Sequence, residues 1–191
     1  MKELITRLQF MAVAIVLAAT ASLTPADALA GDGGWRVPGT YYLALDAEPF
    51  GLPPGLSLPG MLTLHGDRTA IIVDGGDFGG LPFDARDTAQ LGSWRYTLEG
   101  AQVVLLFLTA DGATGDVRSW QRVHIALRQT NRRTMVGEVN VFQLACDGPA
   151  PFPIFNCPDP IENADAFTPA SPPDVPVTLR RLSPRTQMPT P

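Results

Sequence analysis

The chain has 191 residues, with 14 lysines and arginines against 19 aspartates and glutamates, and a formal net charge of −5. That length supplies one domain and no second core, and the acidic balance excludes the basic face of a nucleic-acid binder. Apolar residues make up 45% of the chain, but glycine and proline interrupt them and no sustained helical period follows residue 30, which points to short strands.

In chain order the first element is a leader. Lys2 and Arg7 precede an apolar run from Phe10 to Ala19, and Ala28-Leu29-Ala30 is a small-x-small cleavage pattern. The sequence thus predicts a signal peptide over residues 1–30, cut near Ala30, and a secreted or periplasmic product. The apolar run is shorter than the roughly 20 residues a membrane helix needs, so no transmembrane segment is expected in the mature form. An oxidising compartment favours a disulfide between Cys146 and Cys157, the only cysteines. Closing a loop of that size is worth about 3 kcal/mol in the chain-entropy model.

Gly39 to Ala47 is the first predicted strand, followed by a Pro/Gly-rich connection through Gly60. Met61 to His65 and Arg68 to Asp74 form a predicted hairpin about Gly66-Asp67. Counting back from that turn opposes Leu62 to Ile71 and Leu64 to Thr69, with Leu62, Leu64, Ile71 and Val73 on one face. Gly75 to Gln90 reads as a long loop. Leu91 to Leu98 and Ala101 to Ala110 form a second hairpin about Glu99-Gly100, with Trp94, Tyr96, Val103, Leu105 and Phe107 inward.

Asp116 to Gln129 alternates Val117, Val123, Ile125 and Leu127 with Arg118, Arg122, His124 and Arg128. A three-residue loop, Thr130-Asn131-Arg132, sets Met135, Gly137, Val139 and Val141 of the next strand against the apolar set. It pairs His124 with Glu138 and Trp120 with Phe142 on the outer face. A two-residue loop would oppose Ile125 to Glu138 and bury a charge. Val175 to Leu182 is the last strand. The domain layout is then a barrel domain over 31–146, a disulfide-stapled Pro-rich extension over 147–182, and a disordered tail over 183–191. The fold class is all-β, an up-and-down antiparallel barrel of about eight strands, with a two-sheet sandwich as the alternative.

Gly39-Thr40-Tyr41, the hairpin LTLHGDRTAIIVD at 62–74, Gly92-Ser93-Trp94 and the pattern LLFLTADGATGDV at 105–117 resemble the lipocalin-like (calycin-type) small barrels of exported bacterial proteins. The resemblance covers roughly residues 38–145. In that family the first strand carries tryptophan two residues after glycine, with a late arginine packed across it. Tyr41 stands at that place here, and Arg180 or Arg181 would supply the arginine. The resemblance implies an apolar ligand in the barrel.

The candidate ligand-binding residues are Leu43, Leu62, Trp94, Tyr96, Val103, Leu105, Phe107, Val123 and Val139, joined by Val141. Tyr96 would be the polar handle, with Ser119 and Gln121 near one mouth. The competing reading is that these side chains simply fill the barrel. Val104, Leu106, Leu108, Trp120 and Phe142 form a candidate interaction patch outside, to be covered by the Pro-rich tail, a second copy in a homodimer, or a protein partner. No catalytic residue, metal ligand or cofactor is assigned. His124 and Glu138 read as a solvated cross-strand pair rather than an acid-base couple. Asp74, Asp77, Asp84 and Asp87 read as a solvated loop rather than a calcium site. The function expected is an exported, non-catalytic binding protein for a small hydrophobic ligand. The alternatives are an interaction protein of the cell envelope with a solid barrel, and a calycin-type barrel isomerase.

Overall fold

The computed structural model describes residues 37–74, 85–151 and 156–183. The predicted leader, the tail from residue 184, and Asp77 and Asp84 of the glycine-rich loop lie outside them. Ten strands form one antiparallel sheet: β1 (Gly39–Asp46), β2 (Ser57–Leu64), β3 (Thr69–Asp74), β4 (Ala85–Asp87), β5 (Gln90–Tyr96), β6 (Gly100–Asp111), β7 (Asp116–Asn131), β8 (Thr134–Pro151), β9 (Thr168–Pro169) and β10 (Val175–Arg181). Eight of them close into a barrel in the order β1-β2-β3-β5-β6-β7-β8-β10, and β10 seals it by pairing with both β8 and β1. Closure leaves these strands without a bare edge. The barrel, rather than the sandwich, is therefore the architecture.

Three strands are longer than the rest: β6 has 12 residues, β7 has 16 and β8 has 18. The halves nearer the tight turns build the barrel wall. Their other halves run on past the rim, where β4 pairs with Thr109–Asp111 of β6 and β9 pairs with Phe142–Gln143 of β8. Register shifts at Thr109/Ala110 and Val117/Ser119 mark this extension, as bulges do where a sheet leaves a barrel rim. One end of the barrel thus carries the tight turns, and the other carries the long connections and the extension. We refer to them as the turn end and the loop end.

Strand facing follows the period of two. Inward positions form one core that includes Leu62, Leu64, Trp94, Val103, Leu105, Ile125, Met135, Val177 and Leu179. Three expectations need correction in register. At the β2–β3 hairpin the loop has one residue more than the Gly66-Asp67 pair. His65 and Thr69 close it, and Arg68 adopts φ 74°, the left-handed position that ends a three-residue loop. Leu62 therefore opposes Ile72 and Leu64 opposes Ala70. The slip of one turns Ala70 and Ile72 inward and Ile71 and Val73 outward.

The β5–β6 hairpin turns at Leu98-Glu99, with Thr97 N–H donating to Gly100 O. Trp94 then opposes Val103 instead of Leu105, and both still face inward. At β7–β8 the tight turn is Arg132-Arg133, and a bulge between Gln129 and Asn131 absorbs the residue that would have buried Glu138. His124 consequently opposes Asn140, Trp120 opposes Leu144, and Glu138 opposes Ala126. The predicted long loop is also shorter than expected, because Ala85–Asp87 forms β4 and Gln90 begins β5.

The Sγ atoms of Cys146 and Cys157 form the expected disulfide, 11 residues apart in sequence. It staples the end of β8 to the returning tail, where Asp147 N–H donates to Asn156 O at 2.9 Å. Among the described residues no helix is long and apolar enough to cross a membrane.

Candidate functional site: the two ends of the barrel

The turn end is plugged by aromatic rings and arginines. Arg68, aimed by its left-handed backbone, lies over Trp94 at 4.9 Å and Tyr96 at 4.4 Å, which themselves meet edge to face at 4.8 Å. Such cation–π contacts are worth up to about 2 kcal/mol when desolvated. Trp94 also donates through Nε1 to His65 O at 2.8 Å, so the indole locks the turn that presents Arg68. Asp67 completes that turn by accepting from the hydroxyl and N–H of Thr69. These hydrogen bonds, the side-chain one first, hold its carboxyl below the usual range.

Beside this plug, Tyr41 donates to Val37 O at 2.5 Å. Burial raises the phenol pKa, against the pull of the Arg181 charge. Arg181 donates to Pro38 O at 2.6 Å and lies 6.0 Å from the Tyr41 ring. A Cβ on Gly39 would meet its guanidinium at 2.9 Å. The glycine thus admits the arginine, and of the two candidates it is Arg181 that packs across Tyr41.

The loop end is built differently. Ile72 pairs with Gln90 across β3 and β5, and Phe107 pairs with Gln121, which pairs in turn with the exposed Gln143, across β6, β7 and β8. Gln90 is buried and donates to Asp74 Oδ2 at 2.9 Å, while Gln121 donates to the buried Ser119 Oγ at 3.0 Å. Thr109 donates to Asp87 Oδ1 at 2.9 Å from the extension. Below this polar rim lie Leu43, Phe107, Val123 and Val139, each 5–6% exposed, and the partly buried Leu45, Phe50 and Val141. Beside them, Leu62, Leu105 and Leu179 are 0% exposed. The interior is filled along its length, with slight exposure left at Leu43, Phe107, Val123 and Val139.

All of the predicted ligand-lining side chains belong to this core or pack against it. The structure divides them. Leu43, Phe107, Val123 and Val139 face the loop end, whereas Trp94 and Tyr96 sit in the plug with Arg68. Sequence reasoning placed Ser119 and Gln121 at a mouth, where they are, and missed Gln90 and Asp74, which it read as loop residues.

The outer patch is divided as well. Its β7–β8 half is covered by the returning tail: Phe167 is buried, and Arg122 is stacked 4.3 Å from Phe167 and 5.6 Å from Phe142. Arg122 also donates to Ala164 O at 3.0 Å, and Ala170 N–H donates to Val141 O at 2.8 Å. Asn140 and Asp174 exchange two hydrogen bonds beside it. Leu108 is buried, and its N–H and C=O bond to Thr88 at the foot of β4. Val104 remains 40% exposed.

His124, on this outer face, stands 5.3 Å from the Phe142 ring. Burial first, and then the charge of Arg122, lowers its pKa from 6.5. The unfolded chain therefore takes up this proton at higher pH than the folded one, so the contribution to stability is complete above pH 6.5 and is lost as pH falls through the folded value. Melting temperatures recorded from neutral pH down through this window are expected to fall less for His124→Gln than for the native protein. Equal slopes would show that the imidazole is not linked to folding.

Comparison of the sequence with protein-family models and with curated proteins, and of the fold with solved structures, returned no match.

Proposed function

We propose that this is an exported, non-catalytic binding protein that takes a small apolar molecule at the loop end of its barrel. The observation that carries the reading is that Leu43, Phe107, Val123 and Val139 keep 5–6% exposure beside the partly buried Leu45, Phe50 and Val141. Apolar walls with a few polar groups at the rim suit a ligand that is apolar along its body and polar at one tip. Gln90, Asp74, Gln121 and Ser119 would supply those polar contacts. Export is supported by the predicted leader and by the disulfide. Kinship with the lipocalin-like barrels is part of the same proposal, supported by the packing of Arg181 on Gly39 and Tyr41.

Native mass spectrometry of the protein purified without denaturant, with titration of the apolar fluorophore N-phenyl-1-naphthylamine, tests it. Val139→Phe, which adds bulk opposite Ile125 and Val175, is expected to weaken probe binding at least about tenfold, the loss of about 1.4 kcal/mol, with the melting transition recorded beside it to separate a filled site from an overpacked core. A native protein that carries no small molecule and binds no probe would overturn the proposal. The reading that would then stand is an interaction protein with a solid barrel, which the complete burial of Leu62, Leu105 and Leu179 favours.

A further inference from the structure

The arginines of this barrel fall into two groups. Arg68 and Arg181 pack on the rings of the plug, Arg95 donates to Gln102, Arg118 donates to Asp111, and Arg122 donates to Ala164 O. Arg128, Arg132, Arg133 and Arg180 are exposed, and among the described residues no hydrogen bond or ion pair engages their guanidinium groups.

These four lie together at the turn end. Arg132 and Arg133 are the tip of the β7–β8 turn. Arg128 of β7 opposes Val136 of β8, which opposes Thr178 of β10, and Arg180 follows two residues later, opposite Thr134. Two strand spacings of about 4.8 Å and one two-residue step of about 6.6 Å place Arg128 and Arg180 about 12 Å apart, with the arginine tip between them. Arg181, whose N–H donates to Arg133 O at 2.7 Å, adds its charge beside them. Glu99 and Glu138 flank the cluster, and no acid lies within it. In a chain of net charge −5, unpaired cations gathered at one corner repel one another and contribute nothing to holding the barrel. The neighbouring β5–β6 turn adds an apolar tip. Leu98 there is 100% exposed, and Glu99 O accepts from Gln129 N–H at 2.9 Å, which fixes this turn beside the end of β7.

We infer that this corner of the turn end docks on a bilayer bearing anionic phospholipids, with the four guanidinium groups among the lipid phosphates and Leu98 entering the acyl boundary. A guanidinium takes a phosphate through paired hydrogen bonds, and each arginine close to an anionic membrane is worth about fivefold in partitioning. The cluster wraps a corner of the barrel, but arginine side chains are long and the headgroup layer is about 5 Å or more deep, so tip and flanks reach it together. Apolar side chains entering the interface beside cations are how peripheral proteins hold a membrane. A soluble polyanion would satisfy the arginines and leave Leu98 bare, so the leucine favours the bilayer. The acids Asp46, Asp74, Asp111 and Asp116 lie at the loop end. Strands of eight residues such as β1 and β2, tilted as in a small barrel, span about 20 Å. That is more than two Debye lengths at physiological salt, so these acids are largely screened from the docked surface.

Cosedimentation of the protein purified from its host with lipid vesicles tests the inference. Vesicles of phosphatidylcholine with about 30% phosphatidylglycerol should take it up, more weakly as salt rises from about 0.01 M to 0.15 M and the Debye length falls from about 30 Å to 8 Å. Replacing Arg132 and Arg133 together by glutamine should weaken uptake at least about tenfold, and Leu98→Ser should weaken it severalfold. Arg86→Gln with Arg118→Gln removes the same charge at the loop end and should leave uptake within about twofold. All these side chains are on the surface, and the melting transition of each variant checks the barrel. No uptake by the anionic vesicles would overturn the inference, whether or not the protein binds soluble polyphosphate. So would equal uptake by phosphatidylcholine alone, or an equal loss in the two pairs of arginine variants.

Discussion

Gly92→Ala is expected to cost about 3 kcal/mol or more, at the upper end of what overpacking does, and Gly137→Ala nearly as much. Gly92 lies in β5 between Ala70 of β3 and Leu105 of β6. A Cβ there would fall against the carbonyl oxygen of Val104, with Leu105 Cα only 2.8 Å away. Gly137 in β8 is similar: a Cβ would run into the carbonyl oxygen of Ala126 and stand 3.1 Å from Leu127 Cα. All of these are backbone atoms of a hydrogen-bonded neighbour. No rotamer can relieve the clash, so the strands themselves would have to part. Glycine at such places lets a strand bend tightly enough for a small barrel to close. Urea unfolding of Gly92→Ala and Gly137→Ala, with Gly66→Ala as the control in open space, is the measurement. Domains of this kind are stable by only about 5–15 kcal/mol, so the two strand variants should unfold at clearly lower urea concentration while the turn variant shifts by less than about 0.5 kcal/mol. Equal midpoints for all of them would remove the close approach of β5 to β6, and of β8 to β7, from the account of closure.

Replacing Cys146 and Cys157 together by serine is expected to lower stability by about 3 kcal/mol on the chain-entropy estimate for this loop length. The consequence should be local as well as global. The disulfide fixes the point where the chain leaves β8, and what returns is the segment that lays Phe167 on Arg122 and β9 on Phe142–Gln143. Without the bond, that segment is held by a few exposed hydrogen bonds and one buried ring, which is the composition of a region that opens before the rest. Brief proteolysis should cut the serine variant between residues 157 and 174 while the native protein resists. The fragment carrying β10 should stay bound, because Val177 and Leu179 are buried in the core and β10 is paired on both sides. Identical cleavage patterns and melting temperatures would show that the tail is held without the staple.

The alternation of residues along each strand was enough to say which side chains of β5, β6, β7 and β8 point inward. Side-chain facing repeats every two residues, and that period is visible in a single strand. It carried the candidate lining set into the core. It also singled out Val104 and Leu106 as unusual outward residues. The partners across the sheet were less legible, because each register depends on how its turn is made. Arg68 takes a left-handed conformation that the sequence did not advertise, and one residue of slip exchanged Ile71 and Val73 for Ala70 and Ile72. At β7–β8 a bulge did the opposite, preserving the facing of every residue while moving His124 from Glu138 to Asn140.

By itself the sequence determined the all-β class, the cysteine pairing and the in-or-out placement along the long strands, since composition and local periodicity are properties of neighbouring residues. Tertiary structure alone decided that β10 closes the barrel between β1 and β8, that Arg181 rather than Arg180 crosses Tyr41, and that Gln90 and Asp74 meet at the loop end. It also decided that the returning tail covers part of the outer face of β7 and β8. These contacts join residues far apart in the chain, and their geometry is set by strand bending and sheet closure, to which short-range pattern is blind.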